Sequence, residues 1–176
     1  MRVLITAASR HGATAEIAEF LGGALRARRL DAIVTRPDDV SAIDGFDAVV
    51  IGSGVYAGHW LKPAKDLVSR CTAELQTRPV WIFSSGPLGD PPKPAEDPVD
   101  VPRMLSATGA RGHRLFAGRL NRRQLGVTER AIVRMVNAPD GDFRDWMALD
   151  AWAGEITTTL TGSAARVDRY QLEAQP

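Results

Sequence analysis

Five short runs rich in Val and Ile are separated by longer stretches in which apolar residues recur at three- and four-residue spacing. The runs are Arg2 to Thr6, Ala32 to Thr35, Phe46 to Gly52, Val80 to Ser84 and Arg114 to Ala117. They show little apolar–polar alternation, which is what strands covered on both faces require. Between the first two, Ile17, Ala18, Leu21, Ala24 and Leu25 place one apolar stripe on a helix from about Ala13 to Arg29. Leu61, Ala64, Leu67, Val68 and Cys71 do the same for a second helix, with Pro63 tolerated in its first turn. Leu149, Trp152, Ala153, Ile156 and Leu160 mark a terminal one. Strands alternating with helices predict an α/β chain in which right-handed crossovers wind helices onto both faces of a five-stranded parallel sheet. The expected strand order is 2-1-3-4-5.

Two segments interrupt this rhythm. Pro87 to Pro102 holds six prolines in sixteen residues, which predicts a stiff loop able to wall a site. The stretch 119–142 opens with a basic run (RLNRRQ) and continues as a weak helical pattern, so it reads as an insertion before the last helix. Residues 162–176 read as a poorly ordered tail. What remains is one domain over 1–161, long enough at this size to bury roughly two thirds of its unfolded surface. A net charge of +1 argues against a general affinity for nucleic acid. The opening residues resemble neither a signal peptide nor a membrane span, so a cytoplasmic protein is expected. Cys71, the single cysteine, has no metal-ligand partner near it in sequence and reads as a small apolar residue. No metal site and no catalytic side chain are assigned.

The chemistry gathers where strands end. Ser9, Arg10, His11, Gly12, Ala13 and Thr14 follow the first strand and open an amphipathic helix. Turn and helix-start N–H groups, the helix dipole and two hydroxyls suit a phosphate monoester. Neither Gly-x-Gly-x-x-Gly nor a Gly-Lys-Ser/Thr ending is present, which disfavours NAD and ATP. On this loop alone, Ser9 and Thr14 acting only as helix caps is an equal reading. Ser53, Gly54, Val55, Tyr56, Ala57, Gly58 and His59 follow the third strand, which flanks the switch point of the expected sheet. There a flat ring meets glycines and Tyr56, while Trp60 reads as cover for the sheet. Ser84, Ser85, Gly86, Pro87, Leu88 and Gly89 leave the fourth strand on the same edge and would face the ring's other side.

Together, the first loop, the Val-Val-Ile-Gly strand leading to a loop ending Gly58-His59, and the late insertion resemble the flavodoxin-type, menaquinone-dependent protoporphyrinogen IX dehydrogenases and the flavodoxin-domain proteins grouped with them. The likeness runs from Val3 to about Leu160. It implies a flavodoxin-like fold, with FMN held non-covalently, its phosphate on Ser9 to Thr14 and its isoalloxazine against residues 53–59 and 84–89. It also implies oxidation of protoporphyrinogen, with electrons passed to a quinone at the membrane. The chain departs from the family pattern at His11 and Ala13, and Val55-Tyr56-Ala57 stands where that family has Ile-Arg-Tyr. The alternative is a flavodoxin in the strict sense, a carrier without its own substrate. The bound flavin would perform the redox chemistry, and His11 and His59 are the nearby groups able to move a proton, each with a structural role as the competing reading. Arg119, Arg122, Arg123, Arg130 and Arg134 would meet substrate carboxylates or anionic lipid through a peripheral contact over 119–134, or form a solvated basic face.

Overall fold

The computed structural model describes residues 1–86, 88, 93, 95–121, 126 and 139–173, with the backbone alone for 163–173. Five strands form the parallel sheet: β1 (Arg2–Ala8), β2 (Asp31–Thr35), β3 (Ala48–Tyr56), β5 (Val80–Ser85) and β6 (His113–Phe116). Their order is β2-β1-β3-β5-β6, the expected 2-1-3-4-5 once the short β4 (His59–Trp60) is set aside. β4 folds back antiparallel on the end of β3, pairing Tyr56 with His59 and Val55 with Trp60.

The period of two along each strand splits the interior into two layers. Val3, Ile5 and Ala7 of β1 face α1 (Ala13–Ala27) and the last helix, together with Val50, Phe83, Trp152 and Ile156. Leu4 and Ala8 face the other way, into a cluster with Ile51, Ile82, Leu67 and Leu75. That second layer is covered by α2 (Lys62–Arg70), α3 (Thr72–Leu75) and α4 (Val101–Thr108). In the first layer the Phe83 ring lies so close on Gly52 that a Cβ there would meet it at 2.1 Å.

Several boundaries differ from the sequence reading. Phe46 and Asp47 precede β3, which runs on through Tyr56, so most of the expected second loop is strand and hairpin. The second helix breaks at Cys71 into α2 and α3. The proline-rich stretch ends inside a helix, because Pro102 occupies the first turn of α4, where a missing N–H costs nothing. The last helix, α5, runs Trp146–Glu173, past the residue at which a poorly ordered tail is expected. A helix already nucleated by a buried stripe adds further residues at little cost, and Ala164, Ala165 and Arg166 favour its propagation. The ends of the insertion pair as β7 (Arg119–Leu120) and β8 (Gly141–Asp142), while 122–125 and 127–138 lie outside the described residues. Among the described residues no helix is long and apolar enough to cross a membrane.

Candidate functional site

β1 and β3 lie side by side with their chains diverging to α1 and to the β3–β4 hairpin, the point at which a doubly wound sheet opens a crevice. A pocket of about 400 Å³ occupies it. Its floor and first wall come from the turn after β1. Gly12, at φ +86°, takes a left-handed conformation that a residue with Cβ adopts only at a cost, and it stands at the start of α1. No side chain caps that start, which removes the reading of Ser9 and Thr14 as caps. The inward ladder begins with Glu16, whose N–H donates to the Gly12 carbonyl at 2.9 Å. The earlier first-turn N–H groups have no acceptor within the helix. Ser9, Arg10, His11, Ala13 and Thr14 line the pocket, whereas Gly12 itself only shapes the turn.

The second wall is the hairpin. Gly54, Val55, Tyr56 and Ala57 line the pocket. Ala57 and Gly58, at φ +50° and +79°, form the two-residue connection to β4, the twist that such short hairpins prefer. Tyr56 is gripped by the first wall, with the Arg10 guanidinium 5.5 Å from its ring centroid and the His11 ring at 6.2 Å. Three expected site residues in this wall do not reach the pocket. Ser53 is fully buried on the opposite face of β3, donating to the Gly54 carbonyl and accepting from the Leu61 N–H. Gly58 is turned away at the tip, and His59 points outward to Asp100. Trp60 covers the sheet, as expected, and is 2% exposed.

Ser85, Gly86 and Leu88 make the third wall. Ser84 does not line it, because alternation along β5 directs its hydroxyl to Trp60 Nε1 at 2.8 Å and His113 Nε2 at 2.9 Å. Pro87 and Gly89 lie outside the described residues. Gly118, Arg119, Leu120 and Asn121 supply a fourth wall; the sequence reading left Gly118 unassigned and placed the other three in the insertion rather than in the cofactor site. Their position directly after β6, where the other parallel strands also end, is the signal that finds them.

Two polar clusters hold these walls. Asp100, just before α4, accepts from the Trp60 N–H at 2.8 Å and from His59 Nδ1 at 3.2 Å, with Lys65 Nζ at 3.7 Å. The Val99 N–H donates to the Gly58 carbonyl at 3.0 Å. Burial alone would raise the Asp100 carboxyl, but the Trp60 N–H, Lys65 and His59 outweigh it and hold the group below the ordinary carboxylate value. On the other side Arg144, with a side chain 3% exposed, donates to both Asp142 and Glu16 and lies 4.5 Å from the Trp146 ring centroid. Arg119 grips the same Glu16 with two bonds, at 2.7 and 2.9 Å. Hydrogen bonding to Arg144 holds Asp142 below its usual range. Glu16 is also lowered, since Arg144 and Arg119 overcome the effect of its burial. This cluster staples the first turn of α1 to the antiparallel pair β7 and β8.

Comparison with known proteins gives one consistent result. The sequence matches the flavodoxin domain over residues 4–146. Curated proteins include no match. Among solved structures, a flavodoxin from Streptococcus pneumoniae TIGR4 superposes with a TM-score of 0.61 at 20% identity, covering 90% of this chain and 99% of that one. A cysteine-to-serine variant of flavodoxin from Pseudomonas aeruginosa gives a TM-score of 0.59 at 16% identity, over 92% and 99%. Rubredoxin oxygen:oxidoreductase from Desulfovibrio gigas gives 0.65 at 14%, over 93% of this chain but 37% of that longer one. None of these matches supports the narrower resemblance to protoporphyrinogen dehydrogenases. By its sequence match and its fold, the chain belongs to the flavodoxin-domain family, whose cofactor is FMN.

Proposed function

We propose that the chain is an FMN-dependent electron carrier that holds its flavin in the pocket between β1, β3 and β5. The observation that carries this reading is the uncapped first turn of α1 opening into a pocket lined on one side by Gly54 to Ala57 and on another by Ser85, Gly86 and Leu88. The pocket's volume lies within the range of small-molecule sites. First-turn N–H groups with the Ser9 and Thr14 hydroxyls would hold the phosphate, drawing on the helix dipole as well. The Val55–Ala57 backbone with Tyr56, and Ser85, Gly86 and Leu88 opposite, would hold the ring. When bound, FMN supplies one- and two-electron transfer. The protein's share is to orient the ring, exclude water from its faces and present one edge at the pocket mouth.

The test is an absorbance and fluorescence titration of the purified chain with FMN. Tight binding with perturbed flavin bands supports the proposal. Replacing Ser9 and Thr14 together with Ala should weaken affinity at least about tenfold, since two hydrogen bonds to a charged group are lost. Unchanged affinity would take the first loop out of the site. A second reading, oxidation of a ring substrate such as protoporphyrinogen, draws on the fourth wall at Gly118 to Asn121, which adds lining beyond the three loops expected to hold the flavin. Turnover of that substrate with a quinone would establish it. Rapid one-electron exchange without turnover would leave the carrier.

A further inference from the structure

Three of the segments around the flavin pocket meet on one side chain that does not line it. The side chain of His113, in β6, is 6% exposed. Its Nε2 lies 2.9 Å from the hydroxyl of Ser84, the residue before Ser85 of the third wall. That hydroxyl also lies 2.8 Å from Nε1 of Trp60, which ends the hairpin of the second wall. Nδ1 lies 3.2 Å from Asp97, in the stretch that follows Leu88 and leads to Asp100.

The donors fix how this chain of contacts runs. Trp60 Nε1 can only donate and the Asp97 carboxylate can only accept, so the Ser84 oxygen accepts from Trp60 and Nδ1 carries a hydrogen that it donates to Asp97. In the neutral ring Nε2 is then bare and accepts the Ser84 O–H. Every polar atom is satisfied by a neutral imidazole in this one tautomer, an assignment that follows from the network. A proton added from solvent at Nε2 places two hydrogens face to face. Ser84 can relieve this only by turning its own hydrogen away, and Ser84 is completely buried, so that hydrogen loses its acceptor.

We propose that His113 is a positioning residue and proton sensor of the flavin pocket. Proton uptake at Nε2 breaks its bond with Ser84 and loosens the hairpin and the end of β5, while Nδ1 keeps its bond to Asp97, so FMN is held less tightly in mildly acidic solution. The inference rests on the reading of the pocket as an FMN site. Burial pulls the ring's pKa below the ordinary histidine value, and Asp97 offsets part of this. Among the described residues Asp97 is the one charged group bearing on the imidazole. The neutral form is therefore the resting state near neutrality, and the proton is taken up only in more acidic solution than an ordinary histidine needs.

The experiment compares FMN dissociation constants at pH 8 and pH 5 for the native chain and His113→Gln, whose amide oxygen can accept from Ser84 but takes up no proton. The native affinity should fall about tenfold more than that of the variant, the consequence of one buried hydroxyl left without its acceptor. The FMN phosphate, which titrates near ~6, is the same ligand group for both proteins and cancels in the comparison. Equal pH dependence overturns the inference. If H113Q does not fold, the native chain decides. It has three histidines, so the ring signal of His113 can be followed by NMR against pH with and without FMN. By reciprocity its midpoint should drop by about one pH unit on binding, and an unmoved midpoint overturns the inference. No FMN binding at pH 8 removes the FMN reading and this inference with it, whereas binding with equal pH dependence removes this inference alone.

Discussion

Arg144 carries more of the site than its distance from the pocket lining suggests. Its guanidinium is almost wholly buried, yet Asp142 and Glu16, which it serves, keep 42% and 48% of their side chains in water. Removing one partner from a fully buried ion pair costs about 3–5 kcal/mol, and carboxylates that stay half solvated lower that figure. Arg144→Met, which refills the volume, should therefore destabilise the chain by about 2 kcal/mol at pH 7 in a urea titration. The sign of the pH dependence follows from the carboxyls. Asp142 and Glu16 are held below their ordinary values in the folded chain. Their contribution is present above about pH 4 and lost as the pH falls through their folded values. The gap between native and variant should accordingly narrow between pH 5 and pH 3. A constant gap would mean that Arg144 acts through packing on Trp146 rather than through its ion pairs.

At the level of elements, the β3–β4 hairpin sets the second wall, and its tip places a non-glycine residue in the left-handed region at Ala57. Such a conformation costs an ordinary residue on the order of 1 kcal/mol, and asparagine tolerates it better. Asn-Gly is also the preferred pair for a two-residue hairpin. Ala57→Asn should raise stability by about 0.5–1 kcal/mol in thermal or urea unfolding, and a loss of stability would show that the tip is held by its contacts and not by turn chemistry. This hairpin also shows where the sequence ceases to be legible. Gly52, Gly54 and Gly58 make the whole stretch resemble a loop, yet Gly52 and Gly54 continue β3, where the Phe83 ring needs the space over Gly52. α4 escapes notice for a related reason. Its apolar positions Val101, Met104 and Leu105 follow directly on a proline-rich run that reads as loop. Strands of two residues, such as β7 and β8, are too short to carry any period. The contacts of His113 with Asp97 and Ser84 join residues 16 and 29 positions away, and no local pattern announces them.

At the scale of the whole molecule, the continuous apolar runs, the helical stripes and the loop after β1 make the sheet order and the edge that carries the pocket readable from the sequence, because burial on both faces leaves a clear trace in composition. Which side chains on that edge turn toward the pocket is decided by strand alternation past the last apolar residue, so Ser53 and Ser84 point inward while Gly54 and Ser85 line it. The pocket is thus assembled from the ends of four parallel strands and the start of α1. A ligand that bridges such ends should couple to global unfolding rather than to one loop. FMN at one hundred times its dissociation constant adds about 2.7 kcal/mol to the stability of the folded state. For a domain of this length each kcal/mol raises Tm by about 2–4 °C. Saturating FMN should therefore shift a single cooperative melt upward by about 5–10 °C, with riboflavin giving a smaller shift because it lacks the phosphate that the first turn of α1 would hold. Equal shifts from the two ligands would place the binding energy in the ring walls and leave the uncapped helix start without a role in cofactor retention.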